Sequence, residues 1–334
     1  MKLKLNDFDK IIFDMDGVVT SELAYWQTAA LGAYDMLLSH EHYGVCGIDR
    51  EWCRRKYLEI YNTIMCGGRT VKAVKRLGVN TNWDLFYIVF CVSKYINPEL
   101  SSLDSSHFQS VCMFIENIDL KAPELYDALA EITAQALGKD EFFFKRSGDF
   151  FKKDIFNVFD LWYNGCDEFE GIKTGEELLF PDDELKKTFK HLNEIGIRLG
   201  IGTGRPRAEI EYPLTRHGLL NYFDPKLFAS YDEVFKAENE LKPQSPLAKP
   251  DPYVFLKAAI GEKYSDREIY DKKFNSDEIS RTLVVGDAPS DLMSAKGGGF
   301  KFLGVLTGIE GDGMQLYFKE NHADYILNNV LEIK

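Results

Sequence analysis

The chain has 334 residues, 45% of them hydrophobic and 28% charged, which is long enough for a large core and for two domains. Its 53 acidic residues outnumber its 40 basic residues, and the formal net charge of −13 argues against a nucleic-acid partner, which would require a basic face. The amino terminus is too short and too soon charged for a signal peptide, and no apolar run reaches membrane length. We therefore expect a cytoplasmic protein with no membrane partner.

The first notable stretch is an apolar run, Ile11 to Phe13, that ends in Asp14, Asp16 and Gly17. The run predicts a buried strand of a parallel sheet, apolar on both faces. Burying an unpaired carboxylate is costly, so two aspartates at this point indicate a site that holds a cation. In an open α/β sheet, ligands bind beyond the carboxyl ends of the strands, which is where these aspartates are expected.

The composition changes after the first strand. All six cysteines and all four tryptophans fall between residues 20 and 170, and no CxxC pair is present. This shift predicts an inserted domain over residues 20–179, which separates a short core segment, 1–19, from a longer one, 180–334. The insert is expected to be mostly helical, with helices over residues 23–38, 84–95, 123–137 and 150–163.

From Leu178 the chain alternates between helix and strand. Helices are predicted from Asp182 to Ile195 and from Tyr253 to Ile260, whereas residues 263–279 are polar and are expected to form a surface insertion. Strands are predicted over residues 197–201, 227–229, 282–285, 302–306 and 325–326. This alternation predicts an α/β fold: a Rossmann-like parallel sheet flanked by helices, with a large, mostly α-helical cap domain inserted after the first strand.

Polar residues also follow the later strands of the predicted sheet. Thr203 follows Ile201-Gly202, Lys249 precedes Pro250, and Asp287 and Asp291 stand in Gly286-Asp287-Ala288-Pro289-Ser290-Asp291. With Asp14 and Asp16, this ordered set resembles the haloacid dehalogenase superfamily of phosphatases, whose motifs DxDG, hydrophobic-Thr, Lys-Pro and GDxxxD all stand here in order. Lys242-Pro243 is a second candidate for the Lys-Pro motif. Lys249 is preferred because Lys-Pro-Asp-Pro leads directly into an amphipathic helix.

The resemblance implies roles for the four aspartates. Asp14 would be the nucleophile and form an aspartyl phosphate, while Asp16 would protonate the leaving oxygen and then deprotonate the attacking water. The carboxylates would repel one another, and Mg²⁺ would remove this conflict. The implied metal ligands are the Asp14 carboxylate, the Asp16 main-chain carbonyl and Asp287, with Asp291 close behind. The alternative is that Asp287 is a plain helix cap and Asp291 a solvated acid of the first helical turn.

The resemblance also implies a phosphate-binding set. Thr203 and the amide of Gly204 would hydrogen-bond the transferring phosphoryl group, and Lys249 would pair with Asp14 and with the phosphoryl oxygens. Arg205 follows this loop, and two interpretations stay open for it: contact with substrate, or capping of a helix.

The expected function is that of a Mg²⁺-dependent phosphatase acting on a small phosphate ester, as a monomer or homodimer. The chain is similar to the phosphoglycolate phosphatase and β-phosphoglucomutase branch, which has helical caps. A phosphomutase would use the same residues and stays an alternative, as does a non-catalytic binding or regulatory protein on the same fold. Phosphonoacetaldehyde hydrolysis would need a cap lysine that forms a Schiff base, and no cap lysine stands out.

Overall fold

The computed structural model of the protein describes residues 3–79, 81–120, 124–175 and 177–334. The chain divides into two compact units, residues 1–21 with 177–334 and residues 22–176. The crossings at 21/22 and 176/177 lie close to the bounds predicted from composition, 19/20 and 179/180. The outgoing and returning segments of the first unit run side by side, because the Ser21 amide donates to the Glu177 carbonyl at 3.0 Å and the Leu179 amide donates to the Val19 carbonyl at 3.1 Å.

The second unit is mainly helical and follows the first strand, β1 (Lys10–Phe13). Its helices are α1 (Leu23–Leu38), α2 (Arg50–Arg55), α3 (Tyr57–Ile64), α4 (Arg69–Arg76), α5 (Asn82–Ile96), α6 (Ser105–Glu116), α7 (Glu124–Leu137), α8 (Glu141–Phe144) and α9 (Phe156–Asn164). A short antiparallel pair, β2 (Gly165–Cys166) and β3 (Phe169–Glu170), follows α9. The helices predicted over 23–38 and 84–95 correspond to α1 and α5, and the one over 123–137 corresponds to α7, although Pro123 lies outside the described residues.

The first unit resumes with alternating helices and strands. These are α10 (Asp182–Glu194), β4 (Arg198–Gly202), α11 (Arg207–Arg216), β5 (Phe223–Ala229), α12 (Tyr231–Leu241), α13 (Tyr253–Ile260), α14 (Asp266–Tyr270), α15 (Asp277–Ser280), β6 (Thr282–Gly286), α16 (Pro289–Gly298), β7 (Lys301–Val305), α17 (Gly313–Glu320) and β8 (Tyr325–Leu327). The strands form one parallel sheet in the order β5-β4-β1-β6-β7-β8. The predicted fold class is therefore confirmed.

Successive residues of β1 point to opposite faces of this sheet, as a strand requires. Ile11 and Phe13 belong to a core with side chains of α10 and α11, whereas Ile12 packs on the other face with α13 and α16. These three side chains are fully buried. The central strand is thus covered on both faces. The first polar side chain after it is that of Asp14, at the carboxyl end of the strand.

Three details differ from the predictions. Residues 263–279 are not only a surface insertion, because Ile269 and Ile279 are buried in the core beside α13. Ile195 is 45% exposed, since α10 ends one residue before it. Strand β5 is seven residues long rather than three, and it tolerates Pro225 because it lies at the edge of the sheet. Within the described ranges, no helix combines the length and apolarity that crossing a bilayer demands.

Candidate active site

The candidate site lies at the carboxyl ends of three adjacent strands. Because β1 pairs with both β4 and β6, the loops that begin with Asp14, Thr203 and Asp287 are neighbours. The ladder continues one step beyond β1, where the Asp14 amide donates to the carbonyl of Val285 at 2.9 Å. The backbone of Asp14 is therefore fixed by the sheet and not only by its loop.

The chain after Asp14 forms a tight turn. The carbonyl of Met15 accepts hydrogen bonds from the amides of Val19 and Thr20, both at 2.9 Å, and from the Thr20 hydroxyl at 3.1 Å. Gly17 has a φ of 72°, which favours glycine, and a Cβ at this position would overlap the carboxylate of Asp287. The glycine of the DxDG motif thus lets the turn and the acidic side chain approach each other.

Lys249 lies between two carboxylates. Its Nζ is 2.9 Å from Oδ1 of Asp14 and 2.9 Å from Oδ1 of Asp291. Burial opposes the charged form of Lys249, but the two carboxylates outweigh that effect and raise its pKa. Lys242, the other Lys-Pro candidate, is exposed and ends α12. Of the two lysines, the structure therefore places Lys249 at the predicted site.

Asp14, Asp287 and Asp291 form a compact acidic cluster. Each contributes one carboxylate oxygen, and these oxygens lie within 4.8 Å of one another. Oδ2 of Asp291 accepts from the amides of Asp287 and Ala288, both at 3.2 Å, so Asp291 caps α16 from inside. Its exposure is only 1%, which excludes the solvated acid considered from the sequence.

The charges of this cluster do not balance. Burial raises the pKa of Asp14 to about 7; Lys249 opposes this shift, whereas Asp291 and Asp16 add to it. Three carboxylates near a single ammonium group leave an excess of negative charge, and each like-charged pair costs about 3–4 kcal/mol at an effective dielectric of 20. An all-oxygen donor set with this excess suits Mg²⁺, which prefers carboxylate oxygens and water. The residues therefore fit the predicted metal, while ligation by the Asp16 carbonyl stays a prediction.

The predicted phosphate-binding residues lie on the loop after β4. Thr203 is buried, its amide donates to the Ala229 carbonyl at 3.1 Å, and its hydroxyl accepts from the Arg205 amide at 3.4 Å. The space next to the Cα of Gly204 is open, since a Cβ at this position would meet nothing within 4 Å. The loop therefore leaves open space beside Gly204, the residue whose amide is predicted to bind phosphate.

Arg205 makes the contact that the sequence did not resolve. Its Nε donates to Oδ2 of Asp16 at 2.9 Å, and its Nη2 donates to Oδ1 of the same carboxylate. Nη2 also donates to the Thr20 hydroxyl, at 3.1 Å. The side chain of Arg205 is almost fully buried. Arg205 is therefore the ion-pair partner of Asp16. The available sequence signal was its place two residues after Thr203, on a loop that faces the DxDG turn.

A further loop reaches the site from β7. The Thr307 hydroxyl donates to the Gly17 carbonyl at 2.5 Å, and a Cβ on Gly308 would overlap Oδ2 of Asp287. Sequence analysis missed both residues because neither belongs to a recognisable motif. The signal that could have found them is topological, since β7 lies next to β6 and its carboxyl end must face Asp287.

Several charged and aromatic side chains of the second unit are paired within that unit. Lys75 contacts both carboxylate oxygens of Glu22 at 2.7 Å, Tyr25 stacks on Tyr163, and Arg69 forms a two-point pair with Glu116. These contacts are those of packed and surface side chains within this unit.

A comparison with protein families matches residues 8–299 to the haloacid dehalogenase-like hydrolases. The match spans most of the chain and includes all the aspartates of the site, together with Thr203 and Lys249. The chain therefore belongs to this hydrolase family.

Individual relatives are more distant. A phosphonoacetaldehyde hydrolase of Bacillus cereus is 24% identical over 184 residues, and the match covers 53% of this chain and 61% of the Bacillus protein. A structural-genomics X-ray structure has 28% identity and a TM-score of 0.78, with 97% of both chains covered. A provisionally named β-phosphoglucomutase of Thermotoga maritima has 17% identity and a TM-score of 0.46, with 97% of this chain and 95% of that chain covered.

Proposed function

We propose that the protein is a Mg²⁺-dependent phosphatase that hydrolyses a small phosphorylated metabolite through an aspartyl phosphate on Asp14. The observation that carries this proposal is the grouping of Asp14 with Lys249 and the Asp287–Asp291 pair at the end of the central strand. Such a grouping combines a fixed carboxylate nucleophile with the positive charge and the metal ligands that phosphoryl transfer requires.

The reaction would proceed in two steps. First, a carboxylate oxygen of Asp14 bonds to phosphorus, the ester P–O bond breaks, and Asp16 gives its proton to the leaving oxygen. Second, Asp16 takes a proton from a water molecule, the water oxygen bonds to phosphorus, and the bond between phosphorus and the Asp14 oxygen breaks, which releases phosphate and restores the Asp14 carboxylate. Lys249 would neutralise charge on the phosphoryl oxygens, and Thr203 with the Gly204 amide would hold them in place.

Asp14, Asp287 and Asp291 would hold Mg²⁺, which supplies charge neutralisation for the phosphoryl group. EDTA should therefore abolish phosphatase activity, and added Mg²⁺ should restore that activity. Ca²⁺ should inhibit, because its larger and looser coordination spoils an in-line arrangement.

The test is Asp14→Asn, assayed on a panel of sugar phosphates, nucleotides, phosphoglycolate and pyrophosphate. We expect wild-type protein to release phosphate from at least one of these with Mg²⁺, and the variant to lose turnover because an amide is not a nucleophile here. Asp183→Asn, on an exposed aspartate of α10, should keep wild-type rates. Steady-state turnover by Asp14→Asn would rule out the covalent route. Bisphosphate-stimulated isomerisation of glucose phosphates, without net phosphate release, would indicate a phosphomutase instead.

The Bacillus relative makes phosphonoacetaldehyde hydrolysis a second candidate. That reaction breaks a C–P bond, so the leaving carbon needs an imine on a lysine to take up the electron pair, and a protonated carboxyl such as Asp16 offers no substitute. In the second unit, Lys75 is paired with Glu22, and Lys94 is buried with its ammonium group donating to three carbonyls. These two lysines are thus already engaged. We expect borohydride added with phosphonoacetaldehyde to trap no adduct, and a trapped lysine adduct would favour this second candidate.

A further inference from the structure

We infer that Arg205 is a positioning residue that holds the carboxyl group of Asp16 in the orientation needed for proton transfer to the leaving oxygen. This inference rests on the proposed function of the site. It concerns how Asp16 works, and it gives Arg205 a task different from the two open interpretations of the sequence, substrate contact and helix capping.

The pair has two-point geometry. Nε and Nη2 of Arg205 each donate to a different oxygen of Asp16. Because the guanidinium and the carboxylate are both planar, two parallel hydrogen bonds fix the plane of the carboxylate as well as its position. A lysine at this place would provide charge but no second point of attachment.

Arg205 approaches Asp16 from the protein side. The Arg205 side chain is 3% exposed, whereas that of Asp16 is 25% exposed. A carboxylate has about four lone-pair directions, and Arg205 uses only two of them. Asp16 is therefore held from behind while part of its surface stays accessible to a substrate oxygen or to water.

The Arg205 guanidinium is itself held by hydrogen bonds to two other residues, Thr20 and Glu209. Its Nη2 also donates to the Thr20 hydroxyl, and that hydroxyl donates to the Met15 carbonyl of the same turn. Its Nη1 donates to the Glu209 carbonyl in α11 at 3.3 Å. The guanidinium thus joins the turn that carries Asp16 to the loop that carries Thr203, so a rotation of Asp16 would break several hydrogen bonds together.

A positioning role predicts a dependence on the leaving group. When the P–O bond of an alkyl phosphate breaks, the departing alkoxide needs the proton of Asp16. p-Nitrophenolate is a stable anion and leaves without a proton. Since kcat/KM reports steps up to leaving-group departure, loss of Arg205 should reduce kcat/KM for an alkyl ester far more than for p-nitrophenyl phosphate.

The experiment compares Arg205→Met, Arg205→Lys and Asp16→Asn on p-nitrophenyl phosphate and on the best alkyl phosphate of the panel. We expect Arg205→Met to lose about 10²-fold or more in kcat/KM on the alkyl ester and less than about tenfold on p-nitrophenyl phosphate. Arg205→Lys should recover part of the alkyl-ester rate. Arg207→Met, two residues away and paired with Glu211, is the matched control and should keep both rates.

The double variant Asp16→Asn/Arg205→Met adds a second measurement. If Arg205 acts through Asp16, the double variant should be no slower on the alkyl ester than Asp16→Asn alone. Equal losses on the two substrates, or additive losses in the double variant, would overturn the positioning role. If Arg205→Met does not fold, the ratio of the two substrates in Arg205→Lys decides in the same way. Wild-type protein that hydrolyses neither ester would instead refute the proposed function, so the two failures are distinguishable.

Discussion

Lys249 supplies the positive charge that faces two carboxylates of the candidate site. The ammonium group lies 2.9 Å from both Asp14 and Asp291, and the lysine side chain is only 12% exposed. Removing one partner from a buried ion pair leaves the remaining charges uncompensated, which costs more than the pair itself contributes. Lys249 should therefore matter for stability as well as for catalysis.

Lys249→Met tests this at the level of one side chain. We expect kcat/KM to fall by about 10²-fold or more, because the ammonium group that would neutralise charge on the phosphoryl oxygens is lost. The free energy of unfolding should fall by about 3 kcal/mol, because Asp14 and Asp291 stay buried without a cation. Kinetics on the phosphate-ester panel and urea denaturation measure the two effects. Lys242→Met, at the exposed Lys-Pro site, should change stability by less than about 0.5 kcal/mol and leave the rate unchanged.

The sequence was sufficient to predict some of the site residues and not others. Asp14, Lys249, Asp287 and Asp291 were predicted together, because their spacing and order are a pattern and the structure brings them into contact. The partner of Arg205 was not predictable, because Asp16 is 189 residues away and the contact depends on the path of two loops. A side-chain contact between two such distant loops cannot be read from the local sequence of either loop.

At the scale of elements, the loop between β7 and α17 holds Asp287, a predicted metal ligand, in place. Thr307 ties this loop to the DxDG turn, and Gly308 lies against the carboxylate of Asp287. The Asp287 carboxylate thus lies between Gly17 and Gly308, and a side chain on either glycine would displace it. A loop with no polar motif therefore sets the position of a predicted metal ligand.

Gly308→Ala should displace that carboxylate. We expect kcat/KM to fall by about tenfold to 10²-fold and the Mg²⁺ concentration for half-maximal activity to rise, since a displacement of about 1 Å at a reacting centre has effects of this size. Gly313→Ala is the matched control: it lies in α17, and the closest atom to its new Cβ is Oε2 of Glu310 at 3.9 Å. A Gly308→Ala enzyme with wild-type Mg²⁺ dependence would show that Asp287 is not confined by this loop.

The packing of α5 on α6 includes a buried pair of polar side chains, Ser93 and His107, with 2.6 Å between Oγ and Nε2. Burial lowers the pKa of His107; Asp104 opposes the shift and Lys94 adds to it. Histidine in the unfolded chain takes up a proton near pH 6.5, whereas folded His107 stays neutral to lower pH. The contribution of neutral His107 to stability is therefore complete above about pH 6.5 and is lost as pH falls through the folded pKa.

Urea denaturation at pH 7.5 and pH 5.5 checks this sign. All four tryptophans lie in the unit that contains α5 and α6, so tryptophan fluorescence reports its unfolding. We expect the wild-type midpoint to fall at pH 5.5, and the midpoint of His107→Gln to fall less. Identical pH dependence in both proteins would mean that another group causes the acid sensitivity.

Elements with strong periodicity were predicted well, and short polar ones were not. Helices α1, α5 and α13 each carry a long apolar pattern, so their bounds fall within two residues of the prediction. Residues 263–279 were misassigned because α14 and α15 span only five and four residues. Each of these helices has one buried isoleucine, Ile269 or Ile279. A single apolar residue does not produce the periodic pattern from which a helix is predicted.

At the scale of the whole molecule, the acidic cluster predicts a link between Mg²⁺ and folding. A cation that binds the folded protein but not the unfolded chain stabilises it by about 2.7 kcal/mol at a concentration one hundred times its Kd. Differential scanning calorimetry should show a transition that moves to higher temperature with added Mg²⁺, and the shift should be absent in Asp287→Asn. Without Mg²⁺, Asp287→Asn should be at least as stable as wild type, because one like charge has been removed.

Asp183→Asn is the control for this measurement and should keep the full Mg²⁺ shift. An equal shift in Asp287→Asn would place the Mg²⁺ effect outside the acidic cluster. This readout needs no substrate, so it tests the metal site independently of the phosphatase assay.

The overall architecture was predictable because alternation of strand and helix admits few topologies, whereas the internal packing of the insert was not. Its ion pairs, such as that of Arg146 with the buried carboxylate of Asp84, depend on which helices meet, and the local sequence does not show that.

The paired hydrogen bonds at Ser21–Glu177 and Val19–Leu179 have an evolutionary consequence. They bring the two ends of the insert, residues 22–176, close together, so the insert leaves and re-enters the hydrolase core at neighbouring points. The entropy of closing a loop grows only slowly with its length, by about 0.6 kcal/mol for each doubling. Inserts of different length are therefore compatible with the same hydrolase core, so the insert can change in evolution while the core is kept.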